Sequence, residues 1–478
     1  MKLKVEDCSE YIVTRIDEII VKKIIKCCVW ALFLPCMLNV ILLFDCIRQR
    51  FTADGGSLAV LAVCFSLLGI SFGGIYLWLL VMPVFDRVKT GLRVRMMIGG
   101  QRLVYYGLYG MTAQLFIFIL FYIRKAGPYD FSLGVLIANG IVAVIGGFLL
   151  VAVGAVRIFF TSRRLSIARR LVMLLTMWIP LVNLFVLLYA CRLVYEEYDF
   201  EREKVRLRDL RIDSELCKTR YPLLMVHGVG FRDLRYFNYW GRIPSELMRN
   251  GASVHYGNQE AFGTIAYNGE DIRTRIYQIM EETGAPKVNI IAHSKGGLDA
   301  RYAISTLKMA PYVASLTTMS TPHRGCRFVD YACRLPEGLY RLVARCFDHT
   351  FGKLGDQNPD FYTATHQFST EASYRFNRET PDVKGVYYQS YASKMKYPWS
   401  HLLLSIPWCM IKPLEGDNDG LVSTESAKWG EFQGVFSNQH MRGISHGDMI
   451  DLKRQDYKGF DVVEVYVQIV AKLKERGF

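Results

Sequence analysis

The rhythm of hydrophobic and polar positions changes near residue 211. Before it lie five long apolar runs, at about 24–47, 56–85, 103–123, 131–156 and 171–194. A helix needs ~20 apolar residues to cross a bilayer core. Each run reaches that length, and the charges fall almost wholly between runs. Soluble helices average ~11–12 residues, so five such runs in series exclude a buried helical core. Residues 1–23 are polar-rich and four more runs follow the first, which excludes a cleaved signal peptide. Asp45 lies close to the end of the first run, and Pro83 permits a tilt or kink in the second. Gly146, Gly147 and Gly154 are read as ordinary membrane-helix glycines, with close helix packing as the alternative. The expectation is an all-α transmembrane domain over 1–195.

Lys and Arg near the span ends set orientation, because cytoplasmic loops carry an excess of them. The N-terminal segment has Lys2, Lys4, Arg15, Lys22, Lys23 and Lys26, and the next connection has Arg48 and Arg50. Arg87, Lys89, Arg93, Arg95 and Arg102 follow, then Arg124 and Lys125, then Arg157, Arg163, Arg164, Arg169 and Arg170. The alternation of high and low predicts a cytoplasmic N-terminus. Five crossings would then leave the second half extracytoplasmic. No span carries a central ionisable residue, which argues against an ion path or transporter.

Residues 196–211 mix signs, with Glu–Arg spacings of three and four such as Glu203 and Arg206. They read as a charged helical stalk or linker, ~24 Å long if fully helical.

From Tyr221 short apolar runs alternate with amphipathic ones. Strands are expected at 223–226, 253–256, 288–292 and 313–319, and helices at 239–249, 269–283 and 296–305. Alternating strands and helices predict a mostly parallel sheet covered on both faces, an α/β domain over 212–478. Within it, Val288-Asn-Ile-Ile-Ala-His-Ser294-Lys-Gly-Gly297 runs from a buried strand through small-x-Ser-x-Gly into a helix. This is the nucleophile-elbow pattern, whose tight turn demands small residues two before and two after the serine. Ala292 and Gly296 fill those places. The plainer alternative is a structural serine capping the helix.

A nucleophilic serine needs a base, and the base needs a carboxylate to orient it. In this fold the chain order is serine, acid, histidine. Downstream lie Asp419, in Glu415-Gly-Asp417-Asn-Asp419-Gly, and His446, in Ile444-Ser-His446-Gly-Asp. Asp417 and His440 are the local competitors. The loop His227-Gly228-Val229-Gly230 follows the first strand, so the N–H groups of Val229 and Lys295 are the expected oxyanion donors.

Composition sharpens the division. The chain of 478 residues is 51% hydrophobic and 21% charged, with a formal net charge of +14. Residues 1–211 hold 26 Lys and Arg against 15 Asp and Glu, leaving 32 against 29 for the rest. The basic excess therefore belongs between the apolar runs, which points to a membrane rather than to nucleic acid. All nine histidines fall in the second half. So do Cys217, Cys326, Cys333, Cys346 and Cys409, and an outside domain permits a staple between Cys326 and Cys333 or between Cys333 and Cys346.

At this point the second half resembles the bacterial triacylglycerol lipases of the α/β-hydrolase fold. The likeness is to the Pseudomonas and Burkholderia type and more loosely to the Staphylococcus and Bacillus type. The matching blocks are YPLLMVHGVGFRD from Tyr221, YWGRIPSELMRNGASVH from Tyr239, GAPKVNIIAHSKGGLDARY from Gly284, SLTTMSTPHRG from Ser315, ASYRFN at 372–377, NDGLVS at 418–423 and HGD at 446–448. Together they span about 221–452. The resemblance implies Ser294 as nucleophile, His446 as general base and acid, Asp419 as orienting carboxylate, and Val229 and Lys295 as oxyanion donors. It also implies a mobile lid after TPHRG, at about 326–352, and a structural calcium. Asp448 matches one calcium ligand, but no second carboxylate is found near Ser405, and Leu452 stands where another ligand is expected. The reaction itself requires no cofactor. The zinc insertion of the Bacillus type is missing, and the spans have no counterpart in these secreted enzymes.

The expectation is a membrane-anchored serine hydrolase acting on glycerides or other lipids. The alternatives are a carboxylesterase, thioesterase or phospholipase using the same residues, or a non-catalytic membrane sensor that binds acyl ligands.

Overall fold

The computed structural model describes residues 30, 32–53, 55, 57–84, 90–123, 130–211, 214–230, 238–334, 336–353, 356–440, 442–457 and 459–478. The six N-terminal cations, with Arg87, Lys89, Arg124, Lys125 and the start of the first apolar run, lie outside the described residues. So does the FRD end of the first matching block. The chain divides into two compact units, Met1–Arg208 and Asp209–Phe478.

The first unit is helical. Its labelled helices are α1 (Val40–Ala53), α2 (Leu58–Val81), α3 (Leu92–Ile117), α4 (Leu133–Thr161), α5 (Ile167–Leu175) and α6 (Pro180–Arg211). Among the described residues three helices, Ala59–Val81, Leu92–Leu120 and Leu133–Thr161, are long and apolar enough to cross a membrane. A fourth candidate is the pair Leu32–Leu38 and Val40–Ala53, bent by 82°. The apolar run at 171–194 lies partly on α5 and partly on α6, with Pro180 opening α6. The charged stretch 196–211 continues α6 as helix.

Packing in this unit differs from the ordinary-glycine expectation. A Cβ added at Gly154 would sit 2.6 Å from the Gly100 carbonyl oxygen, so the backbones of α3 and α4 touch there. Several buried polar groups are paired. Asn139 donates to Asn39 (2.7 Å), and Arg157 donates to the carbonyls of Leu80 (2.7 Å) and Met82 (3.2 Å) at the end of α2. Glu197 accepts from Ser162 Oγ, the Arg163 and Arg164 N–H groups and Arg93. In a membrane such groups have no water to turn to, so each partner removes a cost of several kcal/mol, roughly.

The second unit is α/β. Its elements are β1 (Leu223–Val226), α7 (Ile243–Arg249), β2 (Val254–Tyr256), α8 (Ile265–Thr283), β3 (Val288–His293), α9 (Gly296–Ser305), β4 (Val313–Met319), α10 (Arg327–Ala332), α11 (Glu337–Lys353), α12 (Phe361–His366), α13 (Thr370–Glu379), β5 (Tyr387–Ser393), α14 (Ser405–Glu415), β6 (Glu431–Phe436) and α15 (Val462–Glu475). The six strands form one sheet in the order β2-β1-β3-β4-β5-β6, and every neighbouring pair is parallel.

Alternation along the strands divides the core. Leu223, Met225 and Ile291 face α7 and α15 with Trp240, Ile243, Leu247, Tyr466, Val467 and Val470. Leu224, Val226, Ile290 and Ala292 face α8 and α9 with Ile272, Ile276, Ile279, Ala300 and Ile304. Side chains two apart share a face of a sheet, and residues three and four apart share a face of a helix. Each fully buried Leu or Ile contributes roughly 1.5–3 kcal/mol. Helix α8 starts where Thr264 Oγ1 accepts the Tyr267 N–H (3.3 Å) and stops at Gly284 with φ 69°.

Candidate active site

The register of the sheet assembles the site. Val226 pairs with Ala292 at the ends of β1 and β3, so His227 and His293 leave the same edge side by side. Ligand sites in parallel sheets lie at the carboxyl ends of the strands. Ser294 follows β3 with φ 55°, a left-handed conformation that an L-residue adopts under constraint. Its N–H donates to the Met319 carbonyl (3.0 Å), which ties the turn to the end of β4. Helix α9 begins two residues later. A Cβ at Gly296 would lie 2.3 Å from the His227 carbonyl oxygen, so glycine is required for the helix to leave so sharply.

Asp419 and His446 come together at this edge although 27 residues apart. His446 Nδ1 lies 2.9 Å from Asp419 Oδ2, and the His446 N–H donates to the Asp419 carbonyl at 2.9 Å. Asp419 is fully buried. Its Oδ1 accepts the N–H groups of Leu421 (3.0 Å) and Val422 (2.9 Å), and its Oδ2 accepts the Ser393 hydroxyl (3.2 Å). Burial raises the Asp419 carboxyl, but attraction to His446, the hydrogen bond with it and the two N–H donors outweigh burial and hold it below its usual range. The His446 ring packs 4.4 Å, centroid to centroid, from His293, the residue before Ser294.

Neither local competitor enters this pair. Asp417 binds Lys394 (2.7 Å) and Lys412 (2.6 Å). The backbone N–H of His440 donates to Asn438 Oδ1 at 2.9 Å. Val229 lies just beyond β1, and Lys295 directly precedes α9. The Lys295 side chain turns inward: its Nζ donates to Asp299 Oδ1 at 2.6 Å, and both residues are 1% exposed. Burial pulls the lysine down and the aspartate up, against their mutual attraction.

Several residues that the motifs contained without explaining prove to be supports. His293 accepts or donates at Tyr239 Oη (2.7 Å). Arg301 is buried, donates to Asn377 Oδ1 (2.8 Å) and the Thr380 carbonyl (2.9 Å), and lies 3.7 Å over the Trp429 ring. His323 stands beside it, within 3.0 Å of Thr318 Oγ1. One guanidinium thus joins the DARY, TPHRG and ASYRFN blocks, and only the sheet's closure brings them together.

The segment expected as a lid contains α10 and α11. Its C-terminal root is tied to the loop after β2, where Asp356 accepts the Ala261 and Phe262 N–H groups and Glu260 accepts those of Gln357 and Asn358. The expected cysteine staples are absent: Cys326, Cys333 and Cys346 are free thiols, and Cys326 donates to the Leu421 carbonyl. Asp448 Oδ2 accepts the Ser445 N–H (2.9 Å), and Arg442 lies against its carboxylate (3.2 Å). Among the described residues no group of three or more His, Cys, Asp and Glu could hold a metal ion. A carboxylate already committed to a guanidinium, with leucine at 452, does not fit calcium, which takes 6–8 oxygen ligands.

Comparison with known proteins finds likenesses to esterases and lipases. Residues 225–340 match the family described as "Putative serine esterase (DUF676)". The chain is 36% identical over 179 residues to a triacylglycerol lipase of Pseudarthrobacter phenanthrenivorans, covering 34% of this chain and 55% of that protein. It thus spans about half the length of that relative. It is 28% identical over 274 residues to triacylglycerol lipase 2 of Saccharomyces cerevisiae, covering 52% of this chain and 77% of that one. Among solved structures, the mature Bacillus licheniformis lipase BlEst2 aligns with a TM-score of 0.39 and 20% identity over 52% of this chain and 91% of that one. Staphylococcus hyicus lipase aligns with a TM-score of 0.42 and 17% identity over 54% and 97%. With its parallel sheet and the serine turn after β3, the second half of the chain has an α/β-hydrolase fold and is similar in sequence to triacylglycerol lipases and to a serine esterase family.

Proposed function

We propose that this chain is a membrane-tethered serine ester hydrolase that cleaves acyl esters of glycerides or other membrane lipids. The observation that carries the reading is the buried Asp419–His446 pair, packed against the residue before a left-handed Ser294.

Ser294 Oγ attacks the ester carbonyl while His446 takes its proton. Asp419 holds Nδ1 of the ring, which orients Nε2 toward the serine and stabilises the imidazolium. The oxyanion forms against the N–H groups of Val229 and Lys295, where the start of α9 favours negative charge. His446 returns the proton to the leaving alcohol, and a water activated by the same ring releases the acid. No metal enters a step.

The apolar helices of the first unit support a multi-pass anchor. The alternation of Lys and Arg supports a cytoplasmic N-terminus, with the hydrolase unit extracytoplasmic after five crossings. The last crossing would then include the break between α5 and α6.

A fluorophosphonate probe tests the chemistry. Labelling that is lost in Ser294→Ala supports the reading, and an unlabelled, folded protein overturns it. A chain-length series of p-nitrophenyl esters, with and without micelles, tests the substrate. Preference for long chains at an interface marks a lipase, and preference for short soluble esters marks an esterase. Protease accessibility in intact cells tests the side of the membrane, and protection of the hydrolase unit overturns the outside placement.

A further inference from the structure

Strand β5 ends at Ser393 on the edge of the sheet that carries Ser294, and the chain returns to that edge at Asp419. The excursion between them exposes large apolar side chains in an orderly stripe. Two 3₁₀ turns, Pro398–Ser400 and Leu402–Leu404, lead into α14. Leu402, Leu403, Ile406 and Met410 are 85%, 83%, 74% and 42% exposed, and Trp399 beside them is 66% exposed. Their spacing of three and four residues places them on one side, while Ile411 is buried on the other. Stable soluble surfaces scatter such residues singly and do not align them.

The charge around the stripe is mainly positive. Residues 394–414 contain Lys394, Lys396 and Lys412 and no carboxylate; Asp417, just beyond, pairs with Lys394 and Lys412. Lys396, at the start of the stripe, is exposed and outside that pairing. Trp399 stacks on Tyr397 at 4.7 Å, the kind of amphipathic aromatic pair that settles at a headgroup boundary. Exposed Leu, Ile and Trp flanked by Lys make the composition of a segment that lies in a membrane interface.

We propose that this stripe docks the hydrolase unit onto a lipid bilayer that carries anionic headgroups, with Leu402, Leu403 and Ile406 entering the acyl boundary and Lys396 at the headgroups. The proposal rests on the membrane-tethered reading and adds to it a second, separate attachment. Because the stripe lies between the end of β5 and Asp419, docking turns the carboxyl edge of the sheet, and Ser294 with it, toward the lipid. Ester groups would then reach the site without leaving the bilayer surface.

The test uses the full chain in phosphatidylcholine–phosphatidylglycerol vesicles that contain a phosphatidylcholine with a diazirine on its acyl chain. After illumination, lipid adducts are expected on peptides from 397–410 as well as on the apolar helices of the first unit. Adducts on those helices with none on 397–410 overturn the proposal, whether the stripe proves solvent-exposed or covered by protein. Ser294→Ala protein should label equally, so loss of the hydrolase reading leaves this result intact. The combined variant Leu402→Asp, Leu403→Asp and Ile406→Asp should lose the 397–410 adducts. It should hydrolyse a long-chain ester in vesicles about tenfold more slowly while matching the wild type on a soluble short-chain ester. An unchanged rate on vesicles overturns the proposal, and the labelling of the unsubstituted protein decides the question if the variant misfolds.

Discussion

The imidazole of His293 packs 4.4 Å from that of His446, yet only His446 has a carboxylate partner. His293 is wholly enclosed, with Tyr239 Oη on its Nδ1. Burial and then the neighbouring charge of His446 hold it well below the usual histidine range. His323 is depressed in the same way, first by burial and then by Arg301 and Arg324. The same edge of the sheet therefore carries a histidine paired with a carboxylate beside a buried one that has none.

This difference predicts a pH dependence of stability. An unfolded histidine takes up a proton below about pH 6.5. His293 and His323 in the folded protein do not, so the unfolded state binds more protons. Stability is full above about pH 6.5 and falls as the pH drops, by up to ~1.4 kcal/mol per pH unit for each histidine until its folded value is reached. Denaturant titrations at pH 7.5, 6.5 and 5.5 (chosen to bracket about 6.5) should show the fall. His323→Gln should flatten it, and a slope unchanged by that substitution would contradict the assignment.

Asp419→Asn should leave the fold and the backbone contacts of the loop in place while removing the charge that orients His446. Loss of the charge from such a pair lowers kcat by about 10⁴-fold. Steady-state hydrolysis of a soluble p-nitrophenyl ester measures this. Asp417→Asn serves as the control and should retain near wild-type turnover, because its partners are Lys394 and Lys412.

Gly296→Ala tests the elbow. The added methyl would press on the His227 carbonyl at 2.3 Å, so the start of α9 or the end of β1 must move. A displacement of ~1 Å at a nucleophile costs about 10²-fold in rate. A variant that folds and keeps full activity would show that the turn is less constrained than its geometry indicates.

Lys295 and Asp299 form a buried ion pair, and removing one charge strands the other. Lys295→Met should destabilise the hydrolase unit by roughly 3–5 kcal/mol, whereas adding Asp299→Leu should recover most of the loss. A thermal-unfolding double-mutant cycle measures the coupling. Additive losses would show that the two charges act independently.

Arg301→Ala removes a guanidinium held by Asn377, the Thr380 carbonyl and the Trp429 ring. A loss of roughly 3–5 kcal/mol is expected, with Arg301→Lys intermediate because an ammonium lacks the planar fork. Equal stability of all three proteins in urea titrations would remove Arg301 from the supports of the fold.

Local sequence already specified β1, α9 and β4 residue for residue, and β3 to within one position, because their signals are short-range. A buried strand is a run of apolar residues, and an elbow is a fixed order of small residues around a serine. Strands β5 and β6 escaped notice because they carry polar and aromatic side chains, such as Gln389, Ser390, Glu431 and Gln433, with no clean alternation. Only pairing with a neighbouring strand reveals them. The order serine, acid, histidine singled out Asp419 and His446, but nothing along the chain could exclude Asp417 or His440. That choice came from which carboxylate the closed sheet sets against the ring and which one two lysines claim first. The exposed stripe at 399–410 is likewise a product of folding, which buries Ile411 and leaves Leu402, Leu403 and Ile406 at the surface. Covalent neighbours record what each segment prefers, whereas distances between segments exist only once the chain has folded.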